Sequence, residues 1–369
     1  MNRERIMKYT TKDASKLIAQ IPRRQLGFFP TPLHRLDRVS EEMGVNIWIK
    51  RDDFTGSNLY GGNKTRKLEF LIGRAREMGA EYVITYGATQ SNHVMQTAWA
   101  AARNNLKCIA YLAAMVTPDM EDLKGNMLMD KIYGAELQII YPEEGETFEE
   151  AEHRSFELGR AKAEQLLSAG KICYDIPMGG ANEYGSLGYV NMMVELKNQL
   201  LHNQSEGIDF DPKYLYHATG SGGTMAGIVA GSKLLGMDME VHSMLTIPME
   251  DTRDYIENGK NLANGALELL GIGTASGEKP PVETGDFIVD TAHAGEAYEV
   301  PSEEGSEAIR MLARKEGLLV DPVYTGKAFA GMLADIRKGR IPQGSDVLFV
   351  HTGGSTVFFA EKEILGDVF

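Results

Sequence analysis

The sequence predicts an α/β protein with two open, twisted, mostly parallel sheets and helices on both faces. Short apolar runs of strand length alternate with longer amphipathic segments, and the alternation returns in the second half of the chain. Loops rich in glycine, serine, threonine and asparagine stand where strands end and helices begin, the edge at which open α/β sheets bind ligands. The 369 residues suffice for one large domain or two ordinary ones. We read two lobes with the site in the cleft between them: residues 1–58 with 180–369 form the larger, and 59–179 the smaller.

In the first half, "VNIWIK" (45–50), "YVITYG" (82–87), "KCIAYLAA" (107–114), "ELQIIY" (136–141) and "KICYDI" (171–176) are expected strands. The helical patterns between them are "KLEFLIGRAREMG" (67–79), "NHVMQTAWAAARNN" (92–105) and "EDLKGNMLMDKIYG" (121–134), two of which close on glycine. In the second half, "YLYHATG" (214–220) is a strand feeding a glycine loop, and "TMAGIVAGSKLLG" (224–236) is the helix after it. "EVHSMLTI" (240–247) and "DVLFVHTGG" (346–354) are further strands. In "LLVDPVYTGKAFAGM" (318–332) an extended run stops at Asp321-Pro322 and a helix begins after Tyr324. The stretch 258–286, rich in glycine and carrying paired prolines, is expected to be a long surface excursion.

Composition narrows the function. Hydrophobic residues at 43% and charged residues at 24% are ordinary for a soluble globular protein. A net charge of -14 argues against sequence-independent nucleic-acid binding, which needs clustered lysine and arginine. Cys108 and Cys173 lie in apolar runs without metal-ligand spacing, so buried free thiols are expected. The N-terminus lacks the apolar core of a signal peptide, and "CIAYLAAMV" is too short to span a bilayer. The expectation is a cytoplasmic protein with a small-molecule substrate, and neither a membrane nor nucleic acid as partner.

Four stretches carry the chemistry. In "ATGSGGTMAGI" (218–228) Gly220, Gly222 and Gly223 let the backbone approach a ligand closely, Ser221 and Thr224 add hydroxyls, and the N–H groups of the helix start favour an anion. The alternative is a turn that binds nothing, but strand, glycine loop and helix in that order favour a phosphate cup. The G-x-G-x-x-G spacing of a dinucleotide fingerprint is absent. In "GGNKTRKLEF" (61–70), Gly56 and Gly61 have P-loop separation, but Gly62 stands where that loop needs lysine, so nucleotide hydrolysis loses its support. Lys64 is either a solvated first-turn lysine or a nucleophile. A helix N-terminus disfavours its charge, and Arg66 and Lys67 would push the same way. A lysine so placed, with a phosphate cup elsewhere in the chain, suggests a Schiff base with pyridoxal phosphate. In "GATQSNHVMQTA" (87–98), Ser91 reads as an N-cap and His93 as a satisfied helix residue, but Asn92 is a poor helix interior residue at a strand-to-helix turn and suits a ligand contact. Tyr324 and Thr325 occupy the helix entry after Asp321-Pro322, where a buried tyrosine and a capping threonine are the plain alternative.

Taken together, "FFPTPLHRL" (28–36), "KRDD" (50–53), "GGNKTRKLEF", "QSNH" (90–93), "TGSGGT" (219–224), "DPVYTGK" (321–327) and "HTGG" (351–354) resemble the pyridoxal-phosphate enzymes of the tryptophan synthase β-subunit fold, fold type II. Within that fold they resemble the group containing D-cysteine desulfhydrase and 1-aminocyclopropane-1-carboxylate deaminase. The resemblance implies that Lys64 binds pyridoxal 5'-phosphate covalently, that Asn92 hydrogen-bonds its phenolic oxygen, and that Gly220, Ser221, Gly222, Gly223 and Thr224 cradle its phosphate. It implies that Ser91 holds the substrate carboxylate, with Asn92 and His93 beside it, that Tyr324 stacks near the cofactor ring and faces the substrate, that Tyr298 (in "AYEVPSEEG") is a second active-site tyrosine, and that Thr325 and Thr352 lie at the cofactor. It also implies a homodimer. Cyclopropane deaminases resemble "DPVYEGK" and "HLGG", with glutamate near the pyridine nitrogen, whereas Thr325 and Thr352 here match the desulfhydrase pattern. L-Cysteate sulfo-lyases belong to the same group, and the "HTGGS" ending leans toward them. The expectation is β-elimination from D-cysteine, with L-cysteate elimination as its rival. Ring-opening deamination and a non-catalytic amino-acid-binding protein are the more distant readings.

Overall fold

The computed structural model describes residues 9–56, 61–273, 281–360 and 362–368. In chain order the elements are α1 (Thr11–Ile18), β1 (Leu33–Arg35), α2 (Asp37–Met43), β2 (Asn46–Arg51), α3 (Asn63–Glu77), β3 (Tyr82–Ala88), α4 (Asn92–Arg103), β4 (Lys107–Ala113), α5 (Gly125–Ile132), β5 (Glu136–Ile140), α6 (Phe148–Ser168), β6 (Cys173–Asp175), α7 (Glu183–Ser205), β7 (Tyr214–Thr219), α8 (Gly223–Leu235), β8 (Glu240–Leu245), α9 (Arg253–Glu268), β9 (Ile288–Asp290), α10 (Glu303–Glu316), α11 (Thr325–Arg337), β10 (Asp346–His351) and α12 (Lys362–Leu365).

The strands form two sheets. One has the order β1-β2-β10-β7-β8-β9, the other β5-β4-β3-β6. Every pairing is parallel except β1 with β2. Parallel strands are covered on both faces, which is why they read as unbroken apolar runs. Val347 to Val350 of β10 are all fully buried, and each such side chain contributes about 2 kcal/mol of hydrophobic transfer. In the larger sheet β10 lies between β2, from the start of the chain, and β7, with Val347 opposite Ile47 and Tyr214. Helices α7, α8 and α9 cover one face of that sheet and α2, α10 and α11 the other. Among the described residues, no helix is long and apolar enough to cross a membrane.

Several expectations need correction. The stretch 258–286 is not one surface excursion, because its first part belongs to α9. Ala263, Ala266 and Leu267 bury one face of this helix, and a Cβ on Gly259 would lie 2.6 Å from Met225 of α8. Packing on α8 outweighs the helix-breaking tendency of its glycines. Residues 274–280 of that stretch lie outside the described residues. Helix α3 starts at Asn63, which puts Lys64 in its first turn as expected although the apolar helical pattern begins only at 67, and the extended run 318–321 belongs to no strand. Both cysteines are free, but only Cys108 is buried; Cys173 is half-buried on the edge strand β6.

Candidate active site

A cavity of about 630 Å³ opens at the carboxyl ends of β3, β7 and β10, a size ordinary for a small-molecule site. Lys64, Ser91, Asn92, His93, Gly220, Ser221, Gly222, Thr224, Tyr298, Tyr324 and Thr352 all line it. Gly223 and Thr325 do not. Gly223 is buried as the first residue of α8.

Lys64 reaches the cavity because two backbones cross at close range. Gly62 bridges to Gly353, and the Asn63 N–H donates to the Thr352 carbonyl at 2.9 Å. A Cβ on Gly353, whose φ is +94°, would lie 2.8 Å from the Gly61 oxygen and from Gly62 Cα. Gly62 and Gly353 therefore answer each other across this crossing, whereas a Cβ on Gly61 would meet the Asp53 carbonyl and one on Gly354 the Asp321 side chain. The crossing sets Lys64, the second residue of α3, beside the end of β10.

The Lys64 ammonium has no hydrogen-bond or ion-pair partner among the described residues. Its pKa is lowered to about 8, and burial is the cause. The expected push from Arg66 is overturned, whereas Lys67 and Lys64 do repel each other. The Arg66 charge is spent on Asp52 at 2.7 Å and on Glu195 at 2.9 Å. Lys67 donates to the Gly179 carbonyl at 3.0 Å, and burial drives its own pKa well down.

The glycine loop ends in Gly222, left-handed at φ +83°, as the N-cap of α8. Only glycine holds that turn without strain, and it turns the first N–H groups of α8 toward the cavity. Thr224 Oγ1 accepts from Asn63 Nδ2 at 3.0 Å, tying the cup to the start of α3. Thr219 at the strand end shares a 2.7 Å hydrogen bond with Tyr255 of α9.

Ser91 caps α4, its Oγ accepting from the Val94 N–H at 3.3 Å, which leaves its own hydrogen for a ligand. Asn92 Oδ1 accepts from Asn126 at 3.0 Å and from Thr356 at 3.1 Å. Two donors on the oxygen fix the amide, so its NH₂ edge is the one available to an acceptor. His93 pairs Nε2 with Thr85 at 2.8 Å, and its Nδ1 is buried with no partner among the described residues. Burial pushes its pKa well down, so the ring is neutral.

Tyr298 and Tyr324 touch through their hydroxyls, and burial raises both phenols above their ordinary pKa. Lys327 of α11 donates to the carbonyls of Ala294 at 2.6 Å and Ala297 at 3.1 Å, clamping the loop that carries Tyr298. Thr325, expected at the cofactor, is turned away from the cavity. Its hydroxyl donates to Asp321 at 2.6 Å, while the same carboxylate accepts the N–H groups of Val323, Tyr324 and Thr325. A threonine side chain is too short to bond Asp321 and reach the cavity at once.

Among the cavity residues that the sequence reading did not single out, two carry charge, Glu149 and Glu152, from the first turns of α6. The signal was present in "TFEE". Thr147 and Glu150 form a reciprocal capping box, the Thr147 N–H donating to Glu150 at 2.8 Å and the Glu150 N–H to Thr147 Oγ1 at 3.2 Å.

These groups fit pyridoxal phosphate. The helix start and its hydroxyls suit a phosphate dianion, the free edge of Asn92 suits a phenolic oxygen, and the unpaired, partly deprotonated Lys64 suits an aldehyde. The family model for pyridoxal-phosphate dependent enzymes matches residues 24–353. A Pyrococcus abyssi protein provisionally named 1-aminocyclopropane-1-carboxylate deaminase is 39% identical over 95% of this chain and 97% of its own. A D-cysteine desulfhydrase of Serratia proteamaculans is 35% identical over 93% of this chain and 97% of its own. The crystal structure of a 1-aminocyclopropane-1-carboxylate deaminase homologue superposes with a TM-score of 0.79 at 34% identity, covering 94% of this chain and 96% of that one. The chain belongs to the pyridoxal-phosphate-dependent enzymes of fold type II, in the lyase group that holds the 1-aminocyclopropane-1-carboxylate deaminases and D-cysteine desulfhydrases.

Proposed function

We propose that the enzyme eliminates the β-substituent of D-cysteine, releasing sulfide, pyruvate and ammonia. The supporting observation is threonine at the two positions that separate the subgroups, with no carboxylate at the one where the cyclopropane deaminases resemble glutamate. Thr352 lines the cavity with a hydroxyl, and Thr325 has its hydroxyl committed to Asp321. A hydroxyl cannot hold a pyridine nitrogen protonated as a carboxylate can. Carbanion character at Cα is then less stabilised and collapses by expelling a good leaving group from Cβ. Pyridoxal phosphate, when bound, supplies the electron-withdrawing ring that makes the Cα proton acidic.

The chain's own residues do the rest. Lys64 Nζ would hold the cofactor and, as a free amine, would take the Cα proton of the bound substrate. The Ser91 hydroxyl and the Asn92 amide hold the substrate carboxylate and the cofactor oxygen. Tyr324 delivers a proton to the departing sulfur, with Tyr298 keeping its hydroxyl in place. L-Cysteate elimination is the second reading, favoured by the serine that follows "HTGG". The division into lobes 1–58 with 180–369 and 59–179 is supported by the separation of strands between the two sheets. The family resemblance supports a cytoplasmic homodimer.

The test is to supply D-cysteine to cofactor-loaded protein and count pyruvate and sulfide. Equal amounts are expected, with loss of both in Lys64→Ala. Retained turnover in Lys64→Ala would overturn the assignment.

A further inference from the structure

The cavity is lopsided in charge. Among its described lining residues Lys64 is the single lysine, and there is no arginine. The donors at hand are matched to a phosphate, a phenolic oxygen and one substrate carboxylate, so a further anion has no counter-charge. On the other side stand Glu149 and Glu152.

Glu152 is well fixed there. The capping box holds the first turn of α6, Ala151 and Ser155 are buried beneath it, and Phe156 packs edge-on against Tyr86 at 5.0 Å. Glu149 is exposed, whereas Glu152 is half-buried. Its field reaches both Tyr298 and Tyr324, the pair expected at the leaving group. A carboxylate in a partly desolvated cleft repels a second anion far more than it would in water.

We propose that Glu152 is the specificity-determining residue for the substrate's β-substituent, admitting a neutral group such as a thiol and turning away an anion such as a sulfonate or carboxylate. The proposal rests on the lyase reading for the identity of the substituent, though not for its charge. It assigns to charge repulsion a choice that the pair Thr325 and Thr352 does not make, since both readings of the leaving group share those threonines.

The test uses the loaded enzyme at pH 8 with two probes that carry no leaving group, alanine and aspartate, each as both enantiomers. Binding is followed by the change in the cofactor's visible absorbance. Wild type should favour alanine. Glu152→Gln, of the same shape, should raise the affinity for aspartate relative to alanine by about tenfold, the effect of removing one like charge in a cleft. Glu152→Lys should raise it further. A ratio constant within about twofold across the three proteins would overturn the proposal. Pyruvate release from D-cysteine is measured alongside in wild type. A shifted ratio without pyruvate removes the lyase reading and leaves Glu152 its role; pyruvate with a constant ratio does the reverse.

Discussion

Tyr298 and Tyr324 meet hydroxyl to hydroxyl in the cavity wall, their ring centroids 5.8 Å apart and their planes 67° apart. One comes from a loop after β9 and the other from the entry of α11, and Lys327 holds the two segments together. In the proposed elimination such a pair would serve as a proton donor with a built-in orienter. Tyr324→Phe should lower kcat for D-cysteine about a hundredfold, the low end of general-acid effects. With 3-chloroalanine, whose chloride leaves without a proton, the loss should be only a few-fold. Equal losses with both substrates would remove Tyr324 from proton delivery. Tyr298→Phe should show the same pattern with a smaller loss.

The amine of Lys64 must be neutral to attack an aldehyde, and burial has brought its pKa to about 8. Deprotonation is completed as pH rises through that value. The rate at which cofactor-free protein takes up pyridoxal phosphate should therefore climb about tenfold per pH unit below pH 8 and level above it. Stopped-flow absorbance measures this directly. A rate still climbing at pH 10 would show an ordinary lysine.

Behind the site, Arg66 bonds Asp52 and Glu195, Lys50 bonds Glu195 at 2.5 Å, and Tyr189 donates to Asp52 at 2.8 Å. This network ties the first turn of α3 to β2 and α7. Glu195→Ala leaves two buried cations short of a partner and should cost about 3–5 kcal/mol, read by denaturant titration. Burial by itself would raise the Glu195 pKa, but Arg66 and Lys50 outweigh it and hold it at about 2. The folded value lies below the unfolded one, so the contribution is complete above the unfolded pKa of about 4.3 and is lost as pH falls toward 2. The stability gap between wild type and variant should narrow across that window. A gap independent of pH would mean that the network is not what Glu195 contributes.

Thr325→Glu with Thr352→Leu should abolish elimination from D-cysteine and introduce slow ring opening of 1-aminocyclopropane-1-carboxylate. It should also cost about 1–3 kcal/mol, since Asp321 loses the Thr325 hydroxyl. Unchanged elimination in a folded double variant would take the two threonines out of the argument.

Much of this protein is legible in one dimension. Parallel strands announce themselves as apolar runs because both faces are covered, and "TGSGGT" announces its loop because only glycine and small hydroxyl residues fit a backbone that approaches a ligand. The lowered pKa of Lys64 was readable too, but not its cause. Arg66 looked like a neighbour that would depress its pKa, yet Asp52 and Glu195, 14 and 129 residues away in the chain, absorb the Arg66 charge. Helix α9 was hidden because its glycines weaken local propensity, and only the approach of Met225 to Gly259 and of Glu183 to Gly265 makes them useful. Thr325 was placed by motif, while its hydroxyl is directed by Asp321. The carboxylates of Glu149 and Glu152 sat in an unremarked acidic stretch until α6 was folded over the cavity. Local backbone demands and apolar patterning are written residue by residue. Charge compensation, helix-on-helix approach and the walls of a cavity depend on groups distant in sequence, and those the tertiary structure decided.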